Sequence, residues 1–138
     1  MLTGLKLLLV EDDEDDYILT RDLLEELHPG QARIEWVSSV KNALEALRSN
    51  EHDLCHVDFQ LGAYNGLELI RRAQTEGIPT PIIMLTGHHD AKLDIEAQRA
   101  GAVDYLVKDE LNSSSLVRSI RYARARRQAE VERLQRLQ

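Results

Sequence analysis

Leu54-Cys55-His56-Val57-Asp58 reads as a short buried strand that ends in a carboxylate, and Phe59-Gln60-Leu61-Gly62 then turns the chain. In an open parallel sheet the carboxyl ends of the strands form the crevice where ligands bind. A lone aspartate there serves equally well as a turn residue or helix cap, because Asp bonds readily to nearby backbone. The choice between these roles depends on what the other apolar runs deliver beside it.

Upstream, Leu5-Lys6-Leu7-Leu8-Leu9-Val10 is nearly all apolar, as in a strand covered on both faces, and leads into the six acids Glu11 to Asp16. Ile18, Leu19, Leu23, Leu24 and Leu27 then recur at helical spacing. The acids therefore lie at a strand-to-helix junction, where Asp13 or Glu14 caps the helix and faces the positive end of its dipole. His28-Pro29-Gly30 closes that helix. Ile34-Glu35-Trp36-Val37 is a second strand, and Ser38 or Ser39 caps a helix carrying Val40, Ala43, Leu44 and Leu47.

Downstream of Asp58, a loop with Asn65-Gly66 leads to a helix through Leu67, Leu69, Ile70 and Ala73, closed by Gly77. A fourth strand, Ile82 to Leu85, ends at Thr86-Gly87. A helix over 90–100 carries Leu93, Ile95 and Ala97 and stops at Gly101. The fifth strand, Val103 to Val107, ends at Lys108, and the last helix starts between Asn112 and Ser115. Five strands alternating with five helices predict an α/β fold: a doubly wound, five-stranded parallel sheet ordered 2-1-3-4-5. The last helix outruns the sheet face. Residues 1–125 make the globular domain, and 126–138 form a helical extension toward a partner or output domain.

At 138 residues and one cysteine, Cys55, the chain is a single domain with a reduced core thiol. No run is long enough to span a membrane and no secretory signal is present, so a cytoplasmic protein is expected. The net charge of −7 is uneven: residues 118–138 hold seven arginines against Glu130 and Glu132, which leaves −12 on residues 1–117. An acidic body speaks against direct nucleic-acid binding.

The predicted sheet order brings Glu11, Asp12, Asp58, Thr86 and Lys108 to one crevice. Each carboxylate pair a few ångströms apart costs about 1 kcal/mol in water and about 4 kcal/mol at an effective dielectric of about 20. A hard divalent cation removes that cost, and Mg²⁺ suits few carboxylates, several waters and a phosphate. With a lysine and a hydroxyl added, the set makes a pocket for a phosphoryl group, with Asp58 able to accept it as an acyl phosphate.

Four segments carry a close resemblance to a known family: Leu7 to Asp13, Asp58 to Leu69, Ile82 to Gly87, and Gly101 to Lys108. Together the chain resembles the response-regulator receiver domain of two-component signalling over residues 4–125. The resemblance implies the flavodoxin-like form of the predicted fold and a phosphorelay role. Asp58 would accept phosphate from a histidine kinase, a phosphotransfer protein or a small phosphodonor. Asp12 and Asp58 would ligate Mg²⁺ directly, with Glu11 acting through water and the Gln60 backbone carbonyl as a further ligand. Lys108 would pair with Asp58 or the phosphoryl group, and Thr86 and Tyr105 would switch. Beyond assisting its own phosphorylation and dephosphorylation, such a domain is not an enzyme. The last helices could pair two copies.

Three positions depart from the family pattern. Gly62 stands where a proline is usual. Lys108-Asp109 replaces Lys-Pro, and since a cis bond without proline costs about 3 kcal/mol, a trans bond or a redrawn loop is expected. Gln60 and His88 occupy the positions that tune phosphate lifetime. Two other readings compete. One is an Mg²⁺-dependent phosphohydrolase with Asp12 or Asp13 as nucleophile; the other is a binding module, either flavin-binding or a receiver-like protein-interaction module that no longer accepts phosphate.

Overall fold

The computed structural model describes residues 4–27, 29–30 and 32–137. His28, expected to help close the first helix, and the side chain of Leu27 lie outside the described residues. In chain order the elements are β1 (Leu5–Val10), α1 (Glu14–Leu27), β2 (Ala32–Val37), α2 (Val40–Arg48), β3 (Leu54–Asp58), β4 (Gln60–Leu61), β5 (Tyr64–Asn65), α3 (Gly66–Thr75), β6 (Ile82–Thr86), α4 (Ala91–Ala100), β7 (Asp104–Val107) and α5 (Ser113–Arg136). The main sheet is parallel and runs β2-β1-β3-β6-β7. With the β4–β5 hairpin set aside, this is the order 2-1-3-4-5 expected from the sequence. The hairpin leaves no mark in the sequence, which predicts a plain loop there, because a two-residue strand carries no periodicity.

Strand alternation divides the core into two layers. Leu8, Val10, Cys55, Val57, Ile82 and Met84 pack under α2, α3 and α4, whereas Leu5, Leu7, Leu9, Leu54, Ile83 and Leu85 pack under α1 and α5. All four expected apolar positions of α2 are buried. Ser39 caps that helix by accepting from the Asn42 amide, and Asn65 caps α3 by accepting from Glu68. Asp13 fills the same role at α1, where its Oδ1 accepts from the Asp15 amide at 3.1 Å.

Two helices turn differently from their apolar spacing. In α1, Leu19 is 40% exposed, while Tyr17 and Thr20 lie toward the protein with Leu24. The Tyr17 ring stacks on Trp36, centroids 4.5 Å apart, so the aromatic contact sets the helix rotation and Leu19 falls on the crevice side. In α4, Ile95 is 52% exposed and only Leu93 and Ala97 are buried.

Register aligns the strand ends. Val10 pairs with Val57, Asp58 with Leu85, and Thr86 with Val107. The residues just past these pairs, Glu11, Asp58, Thr86 and Lys108, therefore reach one edge at nearly one level. After Lys108 the chain makes a single 3-10 turn over Lys108–Glu110, and no peptide bond is cis among the described residues. The loop is redrawn with a trans bond at Asp109, as the missing proline implies.

At 24 residues α5 spans roughly 36 Å, but its buried face ends at Ala123. The remainder overhangs the amino ends of the strands, where Arg127 donates from Nη1 to the His52 carbonyl at 3.3 Å.

Candidate functional site

The carboxyl edge of the sheet opens into a crevice of about 930 Å³ lined by residues including Asp12, Asp16, Asp58, Thr86, His88 and Lys108. Its centre is Lys108. The ammonium donates to Glu11 Oε2 at 2.8 Å, Asp16 Oδ2 at 2.6 Å and Asp58 Oδ2 at 2.9 Å. Glu11 is 1% exposed and Asp58 6% exposed. Burial alone would lower the lysine pKa, but the hydrogen bonds to Asp16, Glu11 and Asp58 outweigh it and raise the pKa, so Lys108 is held charged. Burial, reinforced by Asp58, raises the Glu11 pKa, so this carboxyl sheds its proton less readily than usual.

The backbone fixes these groups. The Glu11 amide donates to the Val37 carbonyl at 3.0 Å, and Trp36 Nε1 donates to the Glu11 carbonyl at 2.6 Å. The residue carrying the most buried acid is thereby clamped from β2. Asp58 is supported from below by α3: a Cβ on Gly66 would lie 2.6 Å from the Asp58 carbonyl, so the helix start approaches this closely only as glycine. The two Asp58 oxygens differ. Oδ2 is held by Lys108, whereas Oδ1 accepts a long 3.4 Å bond from the Gln60 amide.

Glu11, Asp58 and Lys108 thus meet as the sequence placed them. Asp12 is exposed and turns to the hairpin, its Oδ2 accepting from the Gly62 amide at 3.1 Å. Gly62 makes that turn at φ 64°, a left-handed conformation that glycine adopts freely. The third carboxylate at the centre is Asp16, which the sequence reading did not single out. Carboxylate oxygens of Glu11, Asp16 and Asp58 lie within 4.8 Å of one another. The available signal was helical: Asp16 is the last of the six acids, and the first turn of α1 brings it back over the strand end.

Thr86 is 6% exposed and its hydroxyl donates to the His88 carbonyl at 3.3 Å. The Tyr105 hydroxyl donates to the same carbonyl at 3.3 Å and accepts from the Asp90 amide at 3.2 Å. The two hydroxyls therefore share one acceptor in the loop between β6 and α4. The His88 and Gln60 side chains are exposed at the crevice rim.

The donor set fits a hard divalent cation. Carboxylates of Glu11, Asp16 and Asp58 converge at the centre with Asp12 at the mouth, and these three acids outnumber the single ammonium among them.

A family model described as the response regulator receiver domain matches residues 7–121. The chain belongs to this receiver-domain family. The domain is 36% identical over 102 residues to the response regulator protein PilR of Pseudomonas aeruginosa, covering 72% of this chain and 22% of that one. It is 34% identical over 104 residues to the two-component response regulator PhoP of the same organism, covering 75% and 45%. Among solved structures it resembles the signal receiver domain of a LuxO repressor protein from Vibrio parahaemolyticus, with TM-score 0.80, 25% identity and 91% and 93% of the chains covered. The chain spans less than half the length of the two curated relatives. Family and fold favour a phosphoacceptor receiver of two-component signalling over the phosphohydrolase reading. Receiver domains are signalling modules, and no helix among the described residues is long and apolar enough to cross a membrane.

Proposed function

We propose that Asp58 is the phosphoacceptor and that its Oδ1 is the attacking atom. The observation that carries this is the asymmetry of the carboxylate: Lys108 holds Oδ2 at 2.9 Å, while among the described residues Oδ1 has only the long contact to Gln60. Oδ1 forms a bond to the phosphorus of a phosphohistidine or acyl phosphate. The P–N or P–O bond breaks, and the imidazole or carboxylate leaves. Lys108 stays beside the new phosphoryl oxygens, and catalysis comes from positioning and charge, not from a base.

Mg²⁺ held by Asp12, Asp58, the Gln60 carbonyl and, through water, Glu11 would neutralise charge on the phosphoryl oxygens. Thr86 then offers its hydroxyl to the phosphoryl group and leaves the His88 carbonyl to Tyr105. The loop after β6 shifts its population accordingly, and the Tyr105 face reports it. Gln60 and His88, exposed at the rim, set how water reaches the acyl phosphate and hence its lifetime. The phosphodonor is a histidine kinase or phosphotransfer protein. Residues 1–125 act as the receiver, and 126–138 act as the helical route to an output partner or a second copy. The cytoplasm is the compartment that suits this role.

The test is incubation with acetyl phosphate and Mg²⁺ followed by peptide mapping. Label on Asp58, lost in Asp58→Asn, is the expected result. Label on Asp12 or Asp13 would return the phosphohydrolase reading.

A further inference from the structure

The opposite end of the sheet holds a second cavity, of about 580 Å³, between the start of β6, the last turns of α3 and the overhang of α5. This volume is that of a single-ligand pocket. Ile78, Pro79, Pro81, Ile82 and Val103 give it an apolar floor. Thr80 lies in the same wall, 4% exposed, and its hydroxyl has no hydrogen-bond partner among the described residues. Arg126, Arg127, Arg133 and Arg136 surround the cavity, and Glu130 is the one acid in its lining. Glu130 is already engaged by Arg133, at 2.6 Å. Arg126 lies over the Tyr122 ring, which is apolar cover and not a counter-charge, and Arg127 is bonded to a carbonyl. Among the described residues Arg136 has no hydrogen-bond or ion-pair partner.

A surplus of guanidinium over carboxylate is therefore concentrated at one cavity of a chain whose net charge is −7. Guanidinium forks match phosphate and carboxylate geometry. The apolar floor gives a bare ion nothing to bury, so the occupant needs an apolar body as well as an anionic head. Walls from three elements and the small volume suit a compact molecule better than a protein surface.

We propose that this basal cavity binds a small organic anion, a phosphate or carboxylate carried on an apolar body. Because its walls come from both the globular body and the α5 overhang, such a ligand holds the overhang against the body. The site is independent of Asp58.

The probe is 1-naphthyl phosphate, titrated into the isotope-labelled full chain and followed by the backbone amide NMR signals of Ile78, Thr80 and Arg126. Saturable one-site shifts are expected, weakened about tenfold or more by the pair Arg126→Gln and Arg136→Gln. Ala129→Phe, an exposed helix position in the cavity lining, should abolish them by filling the space. 1-Naphthol and inorganic phosphate should each bind far more weakly. The proposal is overturned if no saturable shift appears or if both sets of variants bind normally. It also fails if inorganic phosphate binds as tightly as the probe, which would mean a simple surface ion. Tighter displacement by a polyglutamate peptide would reassign the surface to a protein partner and equally overturn it.

Discussion

The two ends of the sheet are built from opposite charges by different means. At the carboxyl end, β1, β3 and β7 and the start of α1 each contribute one group, and three acids close on a single lysine. At the amino end the arginines all come from one helix that has outrun its core. A parallel sheet gathers the residue after every strand at one edge, so contributions far apart in sequence converge there. The basic end has no such rule behind it and depends on where α5 stops touching the body. The acidic end should therefore carry the phosphoryl chemistry with little tolerance, whereas the basic end should leave that chemistry untouched.

The largest expected effect comes from Lys108→Met, which removes the one cation among Glu11, Asp16 and Asp58. Phosphorylation by acetyl phosphate should slow by about 10²–10³-fold, as for loss of a preorganised charge donor. Its melting temperature should also rise more steeply with added Mg²⁺ than that of the native chain. A rate within the native range would break the contrast between the ends.

Between the ends lies His56, fully buried on β3, with neither ring nitrogen hydrogen-bonded among the described residues. Burial pushes its pKa down from 6.5 to about 4. Below 6.5 the unfolded chain binds a proton that the folded chain refuses, so stability is present above pH 6.5 and is lost as pH falls toward 4. His56→Leu should stabilise the fold by about 1–3 kcal/mol at neutral pH by removing unpaired polar atoms. In urea melts its advantage should widen by a further ~3 kcal/mol as pH drops through that window. A constant difference across pH would show that His56 takes up its proton equally in the folded and unfolded chain, against the lowered pKa.

Asp16→Asn sharpens the acidic end. Asp16 makes the shortest of the three Lys108 contacts and is partly exposed, so the pair is worth about 1 kcal/mol or less. Freed from it, Lys108 should serve Asp58 better, raising the initial acetyl phosphate rate by a few-fold, on the order of that energy. A fall in rate would make Asp16 part of the metal shell instead. The smallest effect is expected from Arg127→Ala at the other end. It should change global stability by under about 1 kcal/mol, raise amide exchange in the α5 overhang, and leave phosphorylation unaltered.

The same contrast explains what the sequence could tell. Strand ends are legible because apolar runs stop abruptly, and that alone brings Glu11, Asp58, Thr86 and Lys108 together. Asp16 was not, since its place depends on the rotation of α1, and that rotation follows the Tyr17–Trp36 stack and not the leucine spacing that favoured Leu19. The turn of Asp12 toward Gly62 depends on a hairpin too short to leave a pattern. The reach of α5 was legible from unbroken helical composition, but the cavity beneath its overhang needed the tertiary packing.

The most direct measurement is titration of the chain with beryllofluoride, a phosphoryl mimic, followed by fluorescence of Trp36. This is the only tryptophan, and its indole nitrogen bonds the Glu11 carbonyl at 2.6 Å. The expected result is a saturating change at one equivalent that requires Mg²⁺ and disappears in Asp58→Asn. A change that persists in Asp58→Asn, or no change with Mg²⁺ present, would contradict the assignment of Asp58 as the phosphoacceptor.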